Sequence, residues 1–96
     1  MPVKILDTAK RDILEAHAYY VAQESMALGR SFRAEVKAAL HRIEEFPEAW
    51  PRVLGYRRCI IKRFPYCIFY EVESEHIVVV AVSHHKRRPG YWRGSP

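Results

Sequence analysis

The chain has 96 residues and a hydrophobic fraction of 49%, which predict one compact domain over residues 1–96 and exclude a disordered tail, a collagen and a coiled-coil rod. Its net charge of +5 is unevenly distributed, because residues 1–51 carry a net −1 and residues 52–96 carry a net +6. This asymmetry favours an anionic partner, either a nucleic acid or an acidic protein segment.

A short strand and a first helix open the chain. The apolar residues of Val3 to Leu6 predict the strand. The helix is expected from Ala9 to about Ser25, a segment without Gly or Pro, and either Asp7 or Thr8 can cap it. Apolar residues recur on one face of this helix, at Ala9, Ile13, Ala16 and Tyr20.

A second helix completes a helical hairpin. Leu28-Gly29 interrupts the helical pattern, so the second helix is expected to begin at about Ser31 as its N-cap and to end at Pro47. Its apolar face consists of Phe32, Val36, Ala39, Leu40, Ile43 and Phe46.

The hydrophobic period then changes from helical to β. Three strands are predicted at Tyr56 to Lys62, Cys67 to Glu73 and His76 to Ser83, followed by a basic and aromatic tail over residues 84–96. The order β-α-α-β-β-β predicts an α+β fold in which the helical hairpin packs on one face of a small antiparallel sheet. The other sheet face stays uncovered, and we expect the positive charge of the second half to lie there.

Targeting, metal and cofactor signals are missing from the pattern. The longest apolar run, Ile77 to Val82, is shorter than the ~20 residues of a membrane helix, and charged residues throughout Met1 to Lys10 leave no secretory h-region. Cys59 and Cys67 lack the spacing of a disulfide framework or a zinc site, and there is no Gly-rich nucleotide motif. We therefore expect a cytoplasmic protein without membrane contact, metal or cofactor.

Four cations on the first strand after the hairpin are candidates for phosphate or partner binding. They are Arg57, Arg58, Lys62 and Arg63. Arg58 and Lys62 share a face if the strand continues through both, and such a cluster could clamp phosphates. The alternative is a charged edge strand that discourages aggregation.

The tail supplies a second candidate set. Lys86, Arg87 and Arg88 could bind phosphate or a partner, and His85 and Tyr91 could transfer protons in RNA cleavage by a 2′-hydroxyl. The alternative is a docked C-terminal segment in which Tyr91 and Trp92 pack on the core. A metal site at His84-His85 is disfavoured, because adjacent residues on a strand point to opposite faces.

These features together resemble the RelE/ParE superfamily of toxins, and in particular its plasmid-stabilisation branch. The resemblance covers nearly the whole chain. It rests on the element order and on Ala9 to Tyr20, Leu28-Gly29, Ile43 to Pro47, Trp50-Pro51, Arg57-Arg58, Arg63 to Val72 and Ala81 to Trp92.

The resemblance implies the toxin of a type II toxin–antitoxin module, which arrests growth and is held inactive by a cognate antitoxin. ParE-like members poison DNA gyrase, whereas RelE-like members are metal-free endonucleases that cut messenger RNA on the ribosome. Whether this chain is an enzyme therefore stays open. A degenerate, non-toxic member that still binds antitoxin is a third possibility.

The site residues favour the gyrase interpretation. Cys67 stands where RelE-like members carry a strand arginine, and the loss of one such donor is worth ~2.7–4 kcal/mol of transition-state stabilisation. The endonuclease alternative would use Arg63 and Arg87 on phosphate, with His85 or Tyr91 as catalytic groups, since Arg87 and Tyr91 match family positions. In either case we expect a heteromer in which an acidic antitoxin segment covers the hairpin groove and the basic sheet.

Overall fold

A computed structural model describes residues 1–86 of the chain. Within them, helices α1 (Asp7–Gln23) and α2 (Met26–Glu45) pack on one face of a five-stranded sheet. The strands are β1 (Val3–Ile5), β2 (Arg52–Val53), β3 (Tyr56–Ile60), β4 (Tyr66–Val72) and β5 (Ile77–His84). The spatial order is β1-β5-β4-β3-β2, and the expected α+β fold with a helical hairpin on a sheet is confirmed.

The sheet differs from the expected one in two details. It is mixed, because β1 pairs in parallel with β5 while the other neighbours are antiparallel. It also has an additional edge strand, β2, which turns into β3 through Leu54 and Gly55, both at positive φ (57° and 85°). Two consecutive residues of positive φ suit the right-handed twist of a tight hairpin, which explains how so short a strand can pair.

The start of α2 corrects the predicted break in the hairpin. The helix begins at Met26, and Ser25 is its N-cap, with Oγ accepting from the Leu28 N–H at 3.1 Å. Gly29 is buried inside the helix, where a Cβ would lie 2.5 Å from Cγ2 of Val21 on α1. The glycine therefore lets the two helices approach closely, and the expected break at Leu28-Gly29 with a cap at Ser31 was wrong.

Side chains in the first turns of α1 bind backbone groups of β5 beyond the end of β1. Neither Asp7 nor Thr8 acts as the predicted cap, because the helix starts at Asp7 itself. Thr8 Oγ1 instead donates to the Val80 carbonyl (3.2 Å), and Asp12 Oδ2 accepts from the Val82 N–H (3.0 Å). Strand β1 pairs with Ile77 to Val79 of β5. The contacts from Thr8 and Asp12 satisfy backbone groups of β5 that lie beyond this pairing.

The core lies between the helices and the sheet. Its centre is an aromatic cluster in which the ring of Phe32 lies 5.3–5.4 Å from the rings of Tyr20, Phe64 and Tyr66. The prediction that Phe46 belongs to the apolar face of α2 was wrong, because α2 ends at Glu45 and leaves the Phe46 side chain 63% exposed. No helix within residues 1–86 is both long and apolar enough to span a bilayer.

A buried tyrosine anchors the connector between α2 and the sheet. The Tyr70 hydroxyl on β4 donates to the Pro47 carbonyl at 2.7 Å. Burial raises the pKa of Tyr70 to about 12, so the donor stays protonated under ordinary conditions. The connector is thereby held against the helix-facing side of the sheet.

Candidate functional site

The alternation of β3 sends neighbouring arginines to opposite faces of the sheet. Arg57 lies on the helix-facing side, where Nη1 donates to the carbonyls of Glu48 (3.1 Å) and Trp50 (2.8 Å). Arg58 lies on the other side, which we call the outer face, together with Tyr56 and Ile60. Arg57 therefore holds the connector, and Arg58 is the β3 arginine directed away from the helices.

The outer face contains a shallow cavity of about 240 Å³, which we call the outer depression. Cys67, Phe69 and Ser83 are its buried members, and Ile60 is half exposed at its margin. The described lining consists of Val53, Arg58, Ile60, Cys67, Phe69, Ser83, His84 and His85. The depression thus combines an aliphatic and aromatic wall with one guanidinium from the described residues.

Arg58 and Cys67 meet in this depression. Burial raises the pKa of the Cys67 thiol, and the positive charge of Arg58 offsets part of the rise. The thiol donates to the Ser83 carbonyl at 3.7 Å and is 4% exposed, so it behaves as a small buried side chain. The Nε of Arg58 is buried without a hydrogen-bond partner among residues 1–86.

Lys62 and Arg63 do not extend this face. Strand β3 ends at Ile60, so the period-two argument that placed Lys62 beside Arg58 does not reach the turn where Lys62 lies exposed. Arg63 has a positive φ of 69°, and its Nη1 lies 3.3 Å from Oε2 of Glu35 on α2. The guanidinium of Arg63 is therefore drawn toward the helix layer, away from Arg58.

The end of β5 brings one of the proposed catalytic groups to the outer depression. His85 lines it, and its backbone N–H donates to the Pro65 carbonyl at 2.8 Å. His84 packs edge-on against Tyr66 with 5.0 Å between ring centroids, and its Nδ1 accepts from the exposed Lys86 N–H at 2.9 Å. Arg87, Arg88 and Tyr91 lie outside the described residues.

The aliphatic side chains Val53 and Ile60 of this surface were not among the predicted site residues. Ile60 is 50% exposed, and Leu54, which follows Val53 at the tip of the β2–β3 turn, is 41% exposed. Leu54 occupies a positive-φ position at which Asn, Asp or Gly is usual. An exposed leucine before a glycine, between segments of strand composition, was the available signal. Within residues 1–86, no three His, Cys, Asp or Glu side chains gather in a way that could hold a metal ion.

A second surface lies on the helical hairpin, which faces away from the outer depression. Residues of α1 and α2 line an open groove of about 330 Å³, with an aliphatic floor and two cations. The lining residues are Ile13, Arg33, Ala34, Val36, Lys37 and Leu40. This combination suits an amphipathic helix with acidic residues.

Comparison with known proteins agrees with this architecture. The family model described as "ParE toxin of type II toxin-antitoxin system, parDE" matches residues 3–89. A chain in the solved structure of the chromosomal ParDE TA system from P. aeruginosa superposes with a TM-score of 0.78 over 88% of this chain and 95% of that one. Its sequence identity of 16% makes this likeness one of fold. No curated protein matches the chain.

Proposed function

The chain belongs to the ParE toxin family of type II toxin–antitoxin systems, and from this premise we propose that it arrests growth by binding and inhibiting DNA gyrase. Membership of the family implies an antitoxin partner. The observation that carries the gyrase proposal is the character of the outer depression, where aliphatic and aromatic side chains surround Arg58. Such a mixture is typical of protein interfaces, whose core is apolar and in which arginine and aromatic residues are enriched.

The hydrogen bonds of the other arginines between residues 52 and 86 support this proposal. Arg52 donates to the Gly55 carbonyl at 2.7 Å, Arg57 holds the connector, and Arg63 pairs with Glu35. An RNA-binding face needs several cations directed at successive phosphates. These three side chains are instead bound to groups of their own chain.

The hairpin groove is the surface that we assign to the antitoxin. An acidic amphipathic segment would place apolar side chains over Val36 and Leu40 and carboxylates beside Arg33 and Lys37. Because this groove and the outer depression lie on different layers of the fold, antitoxin contacts and target contacts can be separated by mutation. Arg33→Glu with Lys37→Glu is expected to weaken antitoxin binding and to leave gyrase inhibition unchanged.

The deciding experiment compares two activities of one preparation. Purified protein is added to a DNA gyrase supercoiling reaction and, separately, to a translating bacterial extract in which messenger RNA ends are mapped by primer extension. We expect supercoiling to be inhibited, antitoxin to reverse the inhibition, and the message to remain intact. New 5′ ends that arise only during translation, with gyrase unaffected, would refute the gyrase proposal.

One observation favours the endonuclease as a second candidate. His85 and Arg58 line the same depression, which places a proton-transfer group and a cation on one face. On this alternative, Arg87→Ala abolishes cleavage in the primer-extension assay while the circular dichroism spectrum stays that of the parent protein. An Arg87→Ala protein that cuts at full rate would remove Arg87 from the catalytic set.

A further inference from the structure

We infer that the outer depression binds a carboxylate flanked by a large apolar side chain on the target protein, and that Arg58 holds the carboxylate. The inference rests on the proposed function, because it names the surface and the chemistry through which a protein target is recognised.

One nitrogen of the Arg58 guanidinium, Nε, has no acceptor among the described residues. This nitrogen is buried, and an unpaired buried N–H is costly. Arg42 and Trp50 also have such a nitrogen, but Arg42 reaches the Ile60 carbonyl (3.4 Å) from α2 and Trp50 packs with the helix-facing core. Arg58 differs from them because it lines an open cavity. A carboxylate matches its planar array of N–H donors with two parallel hydrogen bonds.

The margin of the depression indicates what accompanies the carboxylate. Ile60 and Val53 line the depression, and Ile60 exposes 50% of its surface. Leu54, which follows Val53 in the β2–β3 turn, exposes 41%. Leu54 also adopts a positive φ of 57°, a conformation that destabilises a leucine relative to glycine or asparagine. Because Val53 and Ile60 line the depression itself, they are where an apolar group of the partner would pack, and Leu54 follows Val53 directly in the chain.

This apolar margin favours a carboxylate over a phosphate as the anion. A nucleic acid backbone offers phosphates in series and gains little from aliphatic neighbours, whereas a protein segment can offer one acidic and one apolar side chain together. The cavity of about 240 Å³ is also smaller than the ~300–1,000 Å³ typical of cofactor and drug-sized ligand pockets. It fits side chains of a partner better than a separate small molecule.

The first test measures binding to purified DNA gyrase and inhibition of supercoiling by matched variants. Arg58→Gln is expected to weaken binding about 30-fold, Arg58→Lys about tenfold because the fork geometry is lost, and Ile60→Thr about fivefold. Arg30→Gln and Met26→Gln remove an exposed cation and an exposed apolar side chain from α2 and are expected to bind like the parent protein. Thermal unfolding and antitoxin binding establish that each variant is folded.

If the parent protein inhibits gyrase and the Arg58 and Ile60 variants inhibit it equally well, the inference is wrong while the proposed function stands. If the parent protein does not affect gyrase, the proposed function is wrong, and a second test decides the chemistry of the depression by itself.

The second test uses small probes and nuclear magnetic resonance of the ¹⁵N-labelled protein. Acetyl-leucyl-aspartate amide is expected to shift the backbone resonances of Arg58, Ile60 and Ser83, and acetyl-leucyl-asparagine amide is expected to shift them far less. The shifts should disappear in Arg58→Gln. Larger shifts with inorganic phosphate than with the aspartate peptide would overturn the inference in favour of a phosphate site. Concentration-dependent dimerisation that Ile60→Thr removes would overturn it in favour of a second copy of the chain.

Discussion

Arg57 and Arg58 are neighbours on β3, yet they meet different surroundings on the two faces of the sheet. On the helix-facing side, Arg57 finds two backbone acceptors, and Tyr70 finds a third in Pro47. On the outer face, the Nε of Arg58 has no partner among the described residues, and Ile60 is half exposed. Two adjacent arginines of one strand therefore differ: the fold binds Arg57 through two carbonyls, whereas within residues 1–86 it leaves one donor of Arg58 unpaired beside the outer depression.

The largest expected effect comes from removing a ring from the helix-facing core. Phe32→Ala is expected to lower the free energy of unfolding by about 3–5 kcal/mol, because this fully buried ring contacts Tyr20, Phe64 and Tyr66. Ile60→Thr on the outer face should change it by less than about 0.5 kcal/mol. Urea unfolding of both variants measures the difference. Equal losses of unfolding free energy would contradict the expected difference between the two faces of the sheet.

The arginine pair gives the next largest effect and sharpens the contrast. Arg57→Gln is expected to lower the free energy of unfolding by about 1–3 kcal/mol, because the carbonyls of Glu48 and Trp50 lose their donor. Arg58→Gln should leave it within about 0.5 kcal/mol of the parent value, since no hydrogen bond of Nε is lost. Thermal and urea unfolding check both values. Strong destabilisation by Arg58→Gln would show that the Arg58 side chain stabilises the fold.

Replacing Tyr70 is expected to have a smaller effect on stability, and one that depends on pH. Tyr70→Phe removes the hydrogen bond to Pro47 and is expected to cost about 1 kcal/mol at pH 7. Burial raises the pKa of Tyr70 from 10.0 to about 12, so the unfolded chain ionises first and the folded parent loses stability as the pH rises from 10 to 12.

The phenylalanine variant has no such group, and its deficit relative to the parent protein should therefore shrink across that pH range. Urea unfolding at pH 7, 10 and 11.5 measures both proteins. A deficit that grows with pH would contradict the assigned role of burial.

The smallest effect concerns Arg63 in the β3–β4 turn. Arg63→Gly relieves a positive φ but removes an exposed ion pair with Glu35, and the two contributions are each within about 1 kcal/mol. We expect a net change below about 0.5 kcal/mol in unfolding and no change in gyrase inhibition. If the variant lost gyrase inhibition without losing stability, Arg63 would be part of the functional surface.

Local patterns were sufficient for the elements and for much of the core. Periodicity predicted both helices, four of the five strands within residues 1–86 and the apolar face of α2, except for Phe46. It failed where a tertiary contact outweighs a local preference. Gly29 is a helix interrupter by propensity, but its closeness to Val21 makes it a packing residue inside α2.

The candidate site was less predictable because it depends on where strands end. Strand alternation separates Arg57 from Arg58, but the sequence does not show that β3 ends at Ile60 and leaves Lys62 in a turn. The pairing of Arg63 with Glu35 joins residues 28 positions apart and has no local signature. The sequence also does not show that Ile60, at the end of β3, lies half exposed beside Arg58 in the outer depression.

The parallel pairing of β1 with β5 has a consequence for folding during synthesis. Val3 pairs with Ile77, so β1 cannot pair until β5 has been synthesised. The helical hairpin forms from contacts close in sequence and can assemble early, while closure of the sheet brings together distant parts of the chain. At ~5–20 residues per second, translation leaves the N-terminal strand waiting for several seconds. A nascent toxin is therefore without its complete outer face until almost the whole domain has left the ribosome.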